Sequence, residues 1–197
     1  VSPVAVDLLS VHALSNMDAW AVGTGSTIIR WNGASWTGPM VAPTGATIDY
    51  RSIKMVSAND GWIAGTVNLV TVEGILLRWN GVAWSIVRSW ITQDLNCVYM
   101  LPGGAAGWAV GDAETAIHWN NVQWISQTSP TAFPLFDVHM ISSTDGWAVG
   151  GPFPFGMAGP MGSSIFHWDG THWFHYETLP SPNTLWGVYM LNTNDGW

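Results

Sequence analysis

Apolar residues in this chain come in short runs that alternate with polar ones, and no stretch shows the 3.6-residue period of a long amphipathic helix. One run reads Ser-Val-His-Ala-Leu at 10–14 and returns as SIKMV at 52–56, CVYML at 97–101, DVHMI at 137–141 and GVYML at 187–191. A second run follows each: DAWAVG ending at Gly23, DGWIAG at Gly65, AGWAVG at Gly111, DGWAVG at Gly150, and DGW at Trp197. After the first four comes an apolar run that ends in a Trp-flanked hexapeptide, WNGASW (31–36), WNGVAW (79–84), WNNVQW (119–124) and WDGTHW (168–173). Short alternating runs bounded by Gly, Asn and Asp predict strands and turns. In the first unit they fall near 9–14, 19–23, 26–31 and 35–41.

The spacing gives the architecture. The Trp of the second run recurs at intervals of 39 to 50 residues, a span that holds four short strands and matches one blade of a β-propeller. The predicted fold is therefore all-β, a propeller of four-stranded antiparallel blades in one domain over 1–197. Four blades are complete (about 9–41, 50–90, 95–127 and 136–177) and a fifth begins at 185–197. Within a unit the first two Trp are 11, 17, 11 and 21 residues apart, whereas the second and third are always 5 apart. Length variation thus sits between strands two and three, on the face that also carries the crossovers, and insertions confined to one face mark a binding face. Four blades and a start do not make a ring. The expectation is a piece of a longer propeller, or copies that complete one another through an open blade edge as an oligomer or filament.

Thirteen of the fifteen tryptophans lie on this grid: Trp20, Trp31, Trp36, Trp62, Trp79, Trp84, Trp108, Trp119, Trp124, Trp147, Trp168, Trp173 and Trp197. A feature used so regularly reads as packing, with the large rings filling the wedges between blades, rather than as a sugar-stacking site used four times over. Asn32-Gly33, Asn80-Gly81, Asn120-Asn121 and Asp169-Gly170 are expected to make type I′ hairpins with positive φ at both residues. The Asp-Gly before the first Trp is expected to serve as a tight turn.

Composition narrows the function. Charged residues make up 9% of the chain, against about 25% in ordinary domains, and the net charge is −8 with five Lys and Arg. No basic face for nucleic acid can be built from so few cations, and anionic membrane surfaces are disfavoured for the same reason. No apolar run is long enough to span a membrane as a helix. The single cysteine, Cys97, has no partner for an internal disulfide and is expected to be an inert core thiol. The chain starts at Val without a signal-like segment, so it is expected to be a mature product or a piece. Low charge with abundant Trp, Thr and Gly is the composition of bacterial extracellular or cell-surface proteins.

DGWAVG, a Gly- or Ser-led apolar strand, and a turn ending in Trp together resemble the Asp-box (BNR) propellers, in particular the photosystem II assembly-factor-like group and its bacterial relatives. The resemblance spans essentially the whole chain. It departs where the family has Asp five residues before the turn Trp, because here Trp31, Trp79, Trp119 and Trp168 stand. In that family the box is structural, so the resemblance implies a fold and no catalysis. Sialidase-like enzymes share the propeller and use an Arg cluster, but Arg30 and Arg78 share a slot with His118 and His167, leaving only Arg51 and Arg88. Glu73, Asp112 and Glu114 lie in or beside the variable loops, and a glycoside hydrolase built on them is the third reading. His167, His172 and His175, or His12 and His139, match no zinc-ligand spacing. No metal and no cofactor are expected.

The residues that break the repeat are the candidates for recognition. Two positions before the strand-one Val or Ile the series runs Leu9, Arg51, Asn96, Phe136, Trp186, which would ring the loop-bearing mouth of the axial channel. Trp90 and Phe133 lie in the crossovers beside it. The insert at 152–162 adds Phe153, Phe155, Met157 and Met161, an aromatic and Met-rich loop stiffened by proline. The leading reading is a non-catalytic extracellular binding or adhesion module that takes protein or glycan on this face. The alternative is a self-assembling surface or filament protein.

Overall fold

The strands follow the sequence units. In the computed structural model, which describes residues 2–40, 43, 46–68, 72–91, 93–151, 162–179 and 184–197, the first sheet holds β1 (Leu8–Ser15), β2 (Asp18–Gly23), β3 (Thr27–Trp31) and β4 (Trp36–Thr37). The second holds β5 (Ile48–Ser57), β6 (Asp60–Asn68), β7 (Val72–Trp79) and β8 (Trp84–Ile91). The third holds β9 (Leu95–Met100), β10 (Gly107–Gly111), β11 (Ala116–Trp119) and β12 (Trp124–Ser126). The fourth holds β13 (Leu135–Ser142), β14 (Asp145–Gly150), β15 (Ser164–Trp168) and β16 (Trp173–Thr178). The pair β17 (Met190–Asn192) and β18 (Asp195–Gly196) forms a two-stranded sheet. Each four-stranded sheet is an antiparallel meander in chain order, and the first strands of successive sheets lie side by side. This is a β-propeller, with β1, β5, β9, β13 and β17 innermost.

Core lies between blades. Trp20, Val22 and Ile28 of the first blade pack with Ile53, Trp79 and Trp84 of the second, and the second/third and third/fourth contacts repeat the arrangement. The second-strand Trp of each of the first three blades meets both rings of the next blade's pair. The centroids are 5.0 and 5.6 Å apart for Trp20 with Trp79 and Trp84, 4.9 and 5.3 Å for Trp62 with Trp119 and Trp124, and 4.8 and 5.2 Å for Trp108 with Trp168 and Trp173. Its other side lies on a cation or imidazole of its own third strand: Arg30 over Trp20 at 4.8 Å, Arg78 over Trp62 at 4.9 Å, and His118 at 4.9 Å from Trp108. The first Trp of each hexapeptide also donates its Nε1–H across the blade to the turn between strands one and two, Trp31 to Asn16 O, Trp79 to Ala58 O, Trp119 to Gly104 O and Trp168 to Ser143 O, at 3.0–3.1 Å.

Two local expectations are corrected. The hexapeptide turn is not type I′, since Gly33, Gly81, Asn121 and Gly170 have positive φ but the preceding Asn32, Asn80, Asn120 and Asp169 do not. Trp31 pairs with Trp36, so four residues form the loop. Asn32 Oδ1 accepts from the N–H groups of Ala34 and Ser35, and the other three turns repeat this capping through Asn80, Asn120 and Asp169. The side-chain oxygen does the work that a second left-handed residue would do in the shorter turn. The Asp before the first Trp is likewise more than a turn residue. Asp18 and Asp60 hold Arg30 and Arg78 through paired contacts at 2.9–3.3 Å, and Asp145 holds His167 at 2.7 Å. The third blade has Ala106 at the Asp position, and there burial alone lowers the pKa of His118.

The glycines of DGWAVG have steric causes. A Cβ on Gly23, Gly65, Gly111 or Gly150 would drive into the backbone at or just before the start of the first strand, at Asp7, Asp49, Asp94 or Pro134. The N–H groups of Thr24, Asp112 and Gly151 bond the Asp7, Asp94 and Pro134 carbonyls at 3.0–3.1 Å, so the loops between strands two and three share a face with the crossovers. The first glycine faces a methionine across the strand pair: Met55 opposite Gly61, Met100 opposite Gly107, Met140 opposite Gly146, Met190 opposite Gly196. The first blade has Ala13 opposite Ala19, splitting the same space evenly.

That exchange is testable. Gly146→Ala places a methyl against Met140 Sδ and should cost about 1–3 kcal/mol in urea unfolding. Adding Met140→Ala, which recreates the Ala13–Ala19 pair, should recover most of the loss. A double variant no more stable than the additive sum would contradict the complementarity.

Candidate functional site

Because β1, β5, β9, β13 and β17 are innermost, equivalent positions on successive first strands stack around the axis in tiers. The outermost tier is the mouth. Arg51 Nη1 donates to Asn96 Oδ1 at 2.6 Å, and its Nη2 pairs with Asp94 Oδ2 at 2.5 Å. Asn96 Nδ2 donates to Asp112 Oδ1 at 2.8 Å and to the Leu135 carbonyl at 3.0 Å. Next in the series, Phe136 lies against Trp186, with centroids 4.5 Å apart. The structure therefore joins Arg51, Asn96, Phe136 and Trp186 in one arc that is polar at one end and aromatic at the other. Trp186 is 66% exposed and Phe133, in the connection before β13, is 39% exposed. Leu9 is 49% exposed at the same position of β1.

The second tier ties blades together. Ser10 Oγ accepts from Ile53 N–H at 3.2 Å, Ser52 Oγ from Val98 N–H at 3.1 Å, and Asp137 Oδ2 from Val188 N–H at 2.9 Å. Cys97 occupies the remaining place and donates its thiol to Asp137 Oδ1 at 2.9 Å. Burial, then the neighbouring Asp137 charge, push that thiol well above its ordinary pKa, so it remains protonated. Burial also raises the Asp137 carboxyl.

A third tier lies two residues further along, where the sequence pattern alone offers His12 and His139 only as a pair without zinc-ligand spacing. Here Lys54 Nζ sits 4.3 Å over Tyr99, Tyr99 lies 4.6 Å from His139, and His139 lies 4.8 Å from Tyr189. Burial first, and the nearby Lys54 charge second, lower the pKa of both His12 and His139 to about 4. Burial lowers Lys54 as well. The available signal is the series His12, Lys54, Tyr99, His139, Tyr189, polar or aromatic in every unit and offset from the mouth series by three residues.

Other candidates disperse. Trp90 lies within β8, with its side chain outside the described atoms, and Phe153, Phe155, Met157 and Met161 fall outside the described residues. Glu73 is on β7 of the second blade, whereas Asp112 and Glu114 are in the β10–β11 turn of the third, with Asp112 engaged by Asn96. His167 is paired with Asp145 and His175 with Thr178.

The third tier gives a pH dependence. Two histidines with folded pKa near 4 and an unfolded value near 6.5 bind fewer protons folded than unfolded between those limits, so stability falls as pH drops from 6.5 to 4. Discounted for their half exposure, each contributes about 1 kcal/mol, or roughly 4–8 °C of Tm for the two together. The raised Asp137 acts in the opposite direction. Calorimetry across that window should show the fall, and His12→Asn with His139→Asn should remove most of it, leaving the share of His118, whose pKa burial also lowers. An equal fall in the double variant would assign the effect elsewhere.

No family model and no curated protein matches the chain. Among solved structures, the chain is similar to "YCF48 bound to D1 peptide", with a TM-score of 0.66 and 15% identity over 96% of this chain. The match covers 59% of that chain, so the present chain spans about three fifths of its length. At this identity the likeness concerns the fold, a β-propeller.

Proposed function

We propose that this chain is a non-catalytic binding module that takes an extended peptide segment across the axial mouth, with Trp186 and Phe136 as the aromatic anchor and Arg51 and Asn96 as the polar side. The observation that carries this reading is the mouth arc itself. In a chain built of repeats, the position that reads Arg, Asn, Phe, Trp in the second to fifth units forms one linked arc, and it ends on an exposed, stacked Trp. Exposed aromatics beside fixed polar groups are the usual composition of an interface centre. The peptide-bound neighbour supports a peptide in particular. We place the chain nearest the Asp-box type of propeller on its DGWAVG and turn motifs, and at the outer surface of a bacterial cell on its sparse charge. Phe133, exposed three residues before Phe136, is the proposed extension of the apolar end.

A random-peptide display library panned against the full chain tests this. Enriched peptides should lose about 30-fold in affinity on Trp186→Ala, the usual loss at an aromatic hot spot, and should compete with one another. Peptides that bind the Trp186→Ala and Phe136→Ala variants unchanged would refute the mouth as the site. Selective capture of sugars from a glycan array, with no peptide enriched, would replace the ligand class.

A further inference from the structure

The outermost strand of the second blade differs from those of the first and third. β8 runs for eight residues, whereas β4 and β12 have two and three. It is also bulged. Ile86 pairs with Leu77 and Arg88 with Leu76, so Val87 is an extra residue without an opposite number on β7. A bulge of this kind re-aims a side chain, and bulges are enriched beside functional sites. Val87 is 43% exposed and walls one side of a slot of about 500 Å³ where the second and third blades meet. Val122 and Gln123, from the turn between β11 and β12, line the slot from the third blade, and Val122 is 79% exposed.

The floor is chemically more specific than the walls. The Arg78 guanidinium lies 4.9 Å from the Trp62 ring and 5.6 Å from the Trp119 ring, and both rings line the slot together with Trp124. All three indoles are buried, so none presents an open face. Arg78 is the accessible part of the floor, with its side chain 40% exposed. Its Nε and Nη2 donate to the two Asp60 carboxylate oxygens at 2.9 and 3.3 Å, whereas Nη1 has no acceptor among the described residues. Asp60 offsets the Arg78 charge, and no Asp or Glu is among the described residues that line the slot. The site is therefore close to neutral, in a chain that carries a net −8.

A guanidinium plane stacks on aromatic rings through its face and donates hydrogen bonds from its edge. A slot of this volume has room for one or two rings. A sugar would need an open indole face, which the slot lacks, and an anion would compete with Asp60 for the same guanidinium. We propose that the slot binds a small uncharged aromatic molecule that carries a carbonyl or hydroxyl oxygen. The ring stacks on Arg78 between Val87 and Val122, and the oxygen accepts from the free Nη1–H and from the Gln123 amide. The site is built from the second and third blades alone and lies at their outer junction, whereas the mouth lies on the axis.

Naphthamide, an uncharged two-ring amide, is the probe, titrated into the full chain and followed by NMR of the tryptophan Nε1–H groups. It should bind one to one with a Kd of about 1 mM or tighter, as expected of a molecule of this size. The Trp62 and Trp119 signals should shift, and that of Trp31 in the first blade should not. Val87→Asp and Val122→Asp, both at exposed positions, should each weaken binding about 10-fold. Val82→Asp, at the matching place between the first and second blades, should leave it unchanged. Arg78→Lys, which keeps the charge and loses the plane, should weaken it about 10-fold or more. Naphthoate, the anionic counterpart, should bind at least about 10-fold more weakly than naphthamide. Absence of binding, binding indifferent to both rim changes, or tighter binding of naphthoate would overturn the proposal. So would displacement by naphthamide of library peptides selected at the mouth, because the probe would then occupy the axis.

Discussion

The structure depends on one repeated contact: an indole held between a cation or imidazole of its own blade and two indoles of the next. Trp20, Trp62 and Trp108 each sit in this seat and are among the most buried side chains in the molecule. A part-exposed cation over an aromatic face, as Arg30 and Arg78 are, is worth about 1 kcal/mol, and burying an indole contributes a further few kcal/mol before entropy is subtracted. The seat explains why a chain with so little charge uses it as it does. Of five Lys and Arg, Arg30 and Arg78 lie on the indoles, and Asp18 and Asp60 hold them there. The bidentate carboxylate fixes the guanidinium plane, and the plane fixes the ring. Where His167 takes the place of Arg, Asp145 still anchors it. Where Asp is replaced, at Ala106, the imidazole of His118 remains neutral and stacks without an anchor.

This seat also sorts the chain into positions that are free to vary and positions that are not. The interblade faces are committed to indoles, the second-strand glycines to close backbone approach, and the hexapeptide to tying strand three to the first turn. What remains free is the innermost strand, whose polar positions point along the axis from one blade to the next. There the five units diverge: five different residues, Leu9, Arg51, Asn96, Phe136 and Trp186, in one tier, and three residue types, His12, Lys54, Tyr99, His139 and Tyr189, in another. Divergence within a repeat concentrates where packing does not dictate the residue, and that is the axis.

The unit length, the Trp grid and the shared face of loops and crossovers were legible in the sequence because each is a spacing. The hexapeptide turn, the role of Asp18 and the Met–Gly register were not, because each is a relation across strands. Period tells which face a residue takes and says nothing about its opposite number. The internal copies nevertheless carried part of that information. Ala13 and Ala19 change together where the other units have Met and Gly, and Ala106 accompanies a His where Asp18 and Asp60 accompany Arg. Comparing the units position by position, rather than reading each for its pattern, exposes these pairs. The third tier escaped for a related reason: His12 and His139 read as metal-ligand candidates, whereas burial and Lys54 keep both neutral, and His139 stands in the Tyr99–Tyr189 stack.

The mouth's electrostatics set what kind of segment it suits. Arg51 is the one guanidinium of the arc, and Asp94 and Asn96 already engage it, while Asn96 in turn spends its amide on Asp112 and Leu135. A carboxylate arriving there would compete with Asp94 for the same guanidinium and would bring another negative charge to a chain that already carries a net −8. In the proposed site the polar side would therefore work as a rigid wall that orients a ligand through neutral hydrogen bonds. The affinity must come from the other side, where Trp186 and Phe136 present apolar area at little cost in side-chain entropy. A neutral segment with an aromatic or aliphatic side chain satisfies both sides, and an acidic one satisfies neither.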